Sequence, residues 1–140
     1  MTFDEIDAIQ DRGLLNTLIG KYCFNLKSIG PEVWRIMKKY LQQRHYIYED
    51  YQGEWLEKPD GIVDYPPDYL SSYAIETLID CAKEVSPDGV RILIDSMGNY
   101  WVYSNFDPSK SGKAFCCGKE RSLNLALCKF LLKLHFRDSQ

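Results

Sequence analysis

The sequence predicts an α+β fold: a layered α-β-α sandwich with a small antiparallel sheet of at least three strands. Three observations predict it. Apolar residues recur at helical spacing in separate stretches before and after a central block of residues. That block holds β-branched and aromatic runs, Val90-Arg91-Ile92-Leu93-Ile94 and Tyr100-Trp101-Val102-Tyr103-Ser104. Helices on both sides of a short sheet bury their apolar faces against it, which gives a layered domain.

Each element can be justified in order. Thr2 followed by Glu5 fits a capping box, with Ile6 and Ile9 as a short apolar face behind it. Gly13 interrupts, and Leu14, Leu15, Leu18, Ile19 and Tyr22 carry a second helical segment to about Cys23. Gly30-Pro31 restarts the chain, Pro31 standing where a first helical residue tolerates proline. Val33, Trp34, Met37, Tyr40 and Leu41 form one face of that helix and Lys38, Lys39, Gln42 and Gln43 the other, so it is a surface helix. From Tyr46 to Tyr69 aromatic and acidic residues mix, broken by glycine and proline. Either Tyr46-Ile47-Tyr48 and Glu54-Trp55-Leu56 make a hairpin about Gly53, or the stretch is a long loop.

A helix is expected from about Tyr69, with Leu70, Ala74, Leu78, Cys81, Ala82 and Val85 as its stripe, stopped by Ser86-Pro87-Asp88-Gly89. Val90 to Ile94 is apolar at every even position and also at Leu93, the pattern of a strand covered on both faces. Ser96-Met97-Gly98-Asn99 turns it into Tyr100–Ser104, and Ala114-Phe115-Cys116-Cys117 is the expected third strand. Ser122 caps a last helix, apolar almost all round through Leu123, Leu125, Leu127, Cys128 and Leu131, and therefore central.

Composition narrows the class. The 140 residues suit one domain, 1–140, and 45% apolar with 26% charged residues is a globular balance. A net charge of -3 disfavours general nucleic-acid binding. Five cysteines without a C-x-x-C read as reduced core thiols of a cytoplasmic protein, and the N-terminal Met1-Thr2-Phe3-Asp4-Glu5 is acidic where a signal peptide is basic. No apolar run reaches membrane-spanning length, so no membrane association is expected.

The residue types needed for ordinary catalysis do not assemble. His45 and His135 are far apart, and Cys116 and Cys117 on a strand would face opposite ways, so no metal site is read and no cofactor is expected. A Cys–His nucleophile lacks an oriented third group. Asp88, Asp95 and Asp107 flank the hairpin but are explained as turn residues. The expectation is therefore not an enzyme.

Two patches are candidates for binding. Lys119, Arg121 and Ser122 stand at the start of the last helix, where free N–H groups and two cations suit a phosphate, with Lys110 and Lys113 nearby in sequence. Ordinary capping explains the same residues. Tyr46, Tyr48, Glu49, Asp50, Tyr51 and Trp55 combine rigid aromatic area with negative charge, the makings of a protein-binding surface. A satellite core closed under a loop explains them equally well.

The segments TFDEIDAIQDRGLLNTLIGKYCF, PPDYLSSYAIETLIDCAKEV, VRILIDSMGNYWVYSNF and RSLNLALCKFLLKL resemble, in that order, the ABA-sandwich proteins of bacteriophages. The last is the most specific, an Ala/Leu-rich helix with a cysteine near its middle. The resemblance covers about two-thirds of the chain, and residues 28–65, the helix from Pro31 and the aromatic-acidic stretch, look like an insertion on that scaffold. It implies a phage or prophage origin and no catalytic residues. It also implies a non-enzymatic protein in the host bacterium's cytoplasm that inhibits a host factor, such as a defence component, in an anti-CRISPR-like manner. The alternative is a protein that sequesters a nucleotide signal at the Lys119-Arg121-Ser122 site. Such a sponge would normally be a homo-oligomer.

Overall fold

The computed structural model describes residues 1–61, 68–86, 89–104 and 116–137, the side chains of Cys116 and Cys117 excepted. The chain divides into two compact units, one of Met1–Ala8 with Tyr69–Gln140 and one of Ile9–Asp68.

The first unit is α+β, with helices packed on a three-stranded antiparallel sheet. Helix α1 (Phe3–Asp7) opens on the expected capping box: the Glu5 N–H donates to Thr2 Oγ1 at 3.1 Å, and the Thr2 N–H to Glu5 Oε1 at 3.3 Å. The sheet comprises β3 (Val90–Ile94), β4 (Tyr100–Ser104) and β5 (Cys116–Glu120) in the order β3-β4-β5. Helix α5 (Leu123–His135) runs through the centre, with Ala126, Leu127, Cys128, Phe130 and Leu132 fully buried. Its packing on the sheet is tight because Gly118 has no side chain: a Cβ there would sit 2.6 Å from the Ala126 carbonyl oxygen. Val102, level with Gly118 on the same face, is also fully buried. Helix α4 (Ile75–Val85) packs beside α5 through Leu78, Cys81 and Ala82.

Two charged side chains lie inside this core and are paired there. Lys129 Nζ donates to Glu120 Oε1 at 2.7 Å and to the Asp7 carbonyl at 2.9 Å, and Lys133 Nζ lies 2.8 Å from Asp7 Oδ1. Both lysines read as the polar residues of an apolar helix, yet both are buried, because α1 and β5 bring acceptors to them.

Four expectations are corrected here. The helix expected from Tyr69 begins as a 3-10 turn over Ser72–Ala74 and becomes α-helical at Ile75, because the Tyr69 and Ser71 carbonyls bind the Asn124 side-chain amide at 2.9 and 2.8 Å. The third strand runs on past Cys117 to Glu120, and Gly118 is where strand and helix backbones meet. Residues 114 and 115 lie outside the described residues. Cys117 falls at a register irregularity, since Val102 pairs with Gly118 but Tyr103 with Cys116. Strand β3 is not covered on both faces. Ile92, Leu93 and Ile94 are 44, 52 and 62% exposed, and among the described residues β3 is the sheet's edge. Composition alone cannot tell a covered strand from a bare one.

The second unit holds α2 (Arg12–Cys23), β1 (Lys27–Ser28), α3 (Pro31–Gln43) and β2 (Leu56–Glu57). Gly13 does not interrupt α2 but lies in its first turn, after an Asp11 cap that accepts from the Leu14 N–H at 2.8 Å. The hairpin about Gly53 does not form. Leu56 pairs instead with Ser28 and Glu57 with Lys27, and residues 46–55 form a loop folded back on α2.

Candidate functional site

The aromatic-acidic segment is shaped by α2 and α3. At the end of α3 the chain turns through His45, at φ 58°, and the Tyr46 N–H returns to the Leu41 carbonyl at 2.9 Å, a left-handed helix stop. The Gln42 side chain then donates to the Glu49 carbonyl at 2.6 Å and so holds the loop against α3. On the other side, the Tyr48 hydroxyl donates to Asp11 Oδ1 at 3.0 Å and accepts from the Gly13 N–H at 3.1 Å. One carboxylate thus caps α2 and anchors the loop.

Tyr51 is the wedge. It is 7% exposed and meets Trp34 and Tyr48 edge-to-face, with ring centroids 6.1 and 5.2 Å away. Burial, with Tyr48 and Asp11 beside it, pushes its hydroxyl pKa up to about 12. The ring lies against Gly13, where a Cβ would come within 2.6 Å of Tyr51 Cε2. Gly53 packs on the Gly13 backbone just as closely. These two glycines are present for close approach, not for turns.

Behind Gly53, Glu54 is locked in. Its N–H donates to Thr17 Oγ1 at 2.7 Å, and its carboxylate takes the Lys21 ammonium and the Ser28 hydroxyl. Burial would raise that carboxyl's pKa, but the Lys21 and Ser28 hydrogen bonds keep it below the ordinary value. Arg12 grips Asp68 through three contacts, at 2.7, 2.9 and 3.3 Å.

The predicted binding residues therefore divide. Tyr51 belongs to the core of its unit, and Trp55 is half-buried. Tyr48 shows part of its ring, but its hydroxyl is engaged. Tyr46, Glu49 and Asp50 are exposed. Helix α3 carries a feature that periodicity assigned to the interior. Of the apolar face expected for α3, only Leu41 is buried, Trp34 and Met37 are half-buried, and Val33 and Tyr40 are exposed. Ile36, absent from that face, is 67% exposed and completes a stripe Val33-Ile36-Tyr40 at i, i+3 and i+7. The Arg44 guanidinium lies 5.3 Å from the Tyr40 ring centre at the end of this stripe.

The second patch is laid out differently from a phosphate cradle. Lys119 is on β5 and its ammonium sits 5.1 Å from the Trp101 ring centre, across the strand pair. Arg121 is exposed, and Ser122 caps α5 by accepting from the Leu125 N–H at 3.4 Å. Lys110 and Lys113 lie outside the described residues, as do Asp88 and Asp107. Asp95 is a turn residue: Trp101 Nε1 donates to it at 2.8 Å, the Asn99 N–H at 3.0 Å and the Met97 N–H at 2.9 Å. The Trp101 and Asn99 bonds pull its pKa down to about 2.

Among the described residues no group of three His, Cys, Asp or Glu side chains converges as metal ligands, and no helix is long and apolar enough to cross a membrane. Cys81 and Cys128 are buried, and burial, with Glu84 beside it, raises the Cys81 thiol pKa, which disfavours the reactive thiolate. Compared with family models, with curated proteins and with solved structures, the chain matches none.

Proposed function

We propose that this chain is a non-enzymatic binding protein that recognises another protein through α3 and the loop that follows it. The observation that carries this reading is the stripe Val33-Ile36-Tyr40, which turns large apolar side chains to solvent on a helix built to bury them elsewhere. Tyr46, 67% exposed, follows the helix end, and Glu49 and Asp50, exposed on the same loop, add negative charge. An apolar helix face with an aromatic anchor and a charged rim is the composition of a helix-in-groove contact. The Tyr48–Tyr51–Gly13 packing supports the reading as well, since it holds the loop in one shape before any partner arrives.

In its finer form the proposal follows the resemblance to phage ABA-sandwich proteins: the partner is a host factor, a component of a bacterial defence system, which the protein inhibits by occupying a basic groove. The acidic residues are suited to such a groove. The nucleotide-sequestering alternative takes second place, because Lys119 lies against the Trp101 ring and the Ser122 hydroxyl is occupied in capping α5.

Plating assays test the finer form. Phage carrying Ile36→Asp with Tyr40→Ala should lose at least tenfold in plating efficiency on a defended host and nothing on an undefended one. Equal plating of mutant and native phage on the defended host would reject it.

A further inference from the structure

We propose that β3 is the seam of a homodimer, in which two copies of this chain pair antiparallel across Ile92 and join their three-stranded sheets into one sheet of six strands. The strand invites pairing. Its neighbour on one side is β4, and among the described residues nothing pairs with the other side. The Asp95 N–H donates to the Asn99 carbonyl at 3.0 Å, so odd residues of β3 direct their backbone groups toward β4. By the alternation of an antiparallel ladder, Val90, Ile92 and Ile94 direct theirs outward. Monomeric proteins blunt such an edge with proline, lysine or an irregular strand. Val90–Ile94 has none of these, and its one charge is Arg91.

A second copy fits this edge by its own sequence. With the two-fold axis at Ile92, Ile92 faces Ile92 of the other copy and Val90 faces Ile94, all on the face that α5 covers at Val102. Cross-strand pairs of β-branched residues are favourable. On the opposite face Arg91 falls opposite Leu93 of the other copy, with that copy's Asp95 and Arg91 on its two diagonals, so no two guanidinium groups are set head-on. A two-fold axis at Arg91 would place two guanidinium groups face to face. The arrangement is isologous and closes on itself, so it ends at a dimer.

The available area is small. Ile92, Leu93 and Ile94 each leave on the order of 100 Å² uncovered, about 600 Å² over two copies, which is the size of a weak, reversible contact. The apolar surface also continues beside the strand. A groove of about 290 Å³ opens between α4 and β3, lined by Ile79, Ala82, Val90, Ile92 and Leu127. A contact of this size gives a weak, reversible dimer.

Sedimentation equilibrium of the full chain, from low micromolar to several hundred micromolar, is the test. The mass should rise from 16.3 kDa toward twice that value. Ile92→Lys, at an exposed position, should weaken association at least tenfold without changing the far-ultraviolet spectrum. Ile92→Cys should form a disulfide-linked dimer under mild oxidation, since directly opposed residues of a hydrogen-bonded pair stand about 5.5 Å apart at Cα, within disulfide reach. Leu93→Cys should not, and the native chain with its own cysteines is the baseline. A monomer at every concentration overturns the proposal. So does a dimer that Ile92→Lys leaves intact, or equal cross-linking of the two cysteine variants.

Discussion

Gly13→Ala puts the loop architecture at risk with a single methyl group, and the sign of its effect is diagnostic. In a helix, alanine is normally better than glycine by about 0.5–1 kcal/mol, because glycine has more backbone freedom to lose. Here the added Cβ would come within 2.6 Å of Tyr51 Cε2 and 2.9 Å of the Tyr48 hydroxyl. The Tyr51 ring is hemmed in, with Trp34 and Tyr48 at its edges and Gly53 against its hydroxyl. Overpacking of this kind costs about 1–3 kcal/mol. The net expectation is a loss of about 1 kcal/mol, or a fall in Tm of about 4 °C for a chain of this size. Urea and thermal unfolding measure it, and near-ultraviolet circular dichroism should report altered aromatic packing. Tyr51→Leu in the same background should remove most of the clash, so the two changes should couple by about 1 kcal/mol. A Gly13→Ala protein more stable than the native one, with an unchanged aromatic spectrum, would refute the close packing of α2 and the loop.

Three further outcomes are expected. Lys129→Met should cost about 3 kcal/mol, because it strands the Glu120 carboxylate and the Asp7 carbonyl, whereas Lys133→Met, whose partner Asp7 is half exposed, should cost nearer 1 kcal/mol in the same denaturation series. The Asp95 carboxyl is depressed from 3.8 to about 2 in the folded state, so its contribution is complete above pH 4 and lost as pH falls toward 2; Asp95→Ala should flatten that acid limb of the stability profile. The Tyr51 hydroxyl is raised from 10.0 to about 12, so its contribution is complete below pH 10 and lost as pH rises through 12; burial raises Tyr48 as well, so ultraviolet titration should find late-ionising tyrosines, one of which Tyr51→Phe removes.

Much of the fold can be read from local signals. Thr2 with Glu5, Pro31 after Gly30 and Ser122 before Leu123 mark helix starts by the chemistry of their own side chains. The apolar girdle of α5 announces a central helix, and Asp95 to Asn99 a turn. What escapes is set by distant partners. Tyr48 finds Asp11 and Gly13 across more than thirty residues, and the two-residue pairing of β1 with β2 leaves no periodic trace. Gly13 and Gly53 suggest breaks because composition cannot distinguish a glycine that bends from one that admits a neighbour. Lys129 and Lys133 suggest solvent until α1 and β5 surround them.

The proposed binding patch is half legible for the same reason. An aromatic-acidic run identifies Tyr46, Glu49 and Asp50, which are exposed, and equally Tyr51, which fills a core. A helical stripe identifies apolar residues but not whether anything covers them. Val33, Ile36 and Tyr40 are conspicuous only once their exposure is known.

Affinity capture from host lysate tests the central claim most directly, with the native chain and Ile36→Asp as paired baits and mass spectrometry of both proteins and small molecules. The account predicts one host protein in near-equal amount with the native bait, lost with Ile36→Asp although that variant keeps the native Tm. Recovery of the same protein by both baits, or of a nucleotide and no protein, would contradict it.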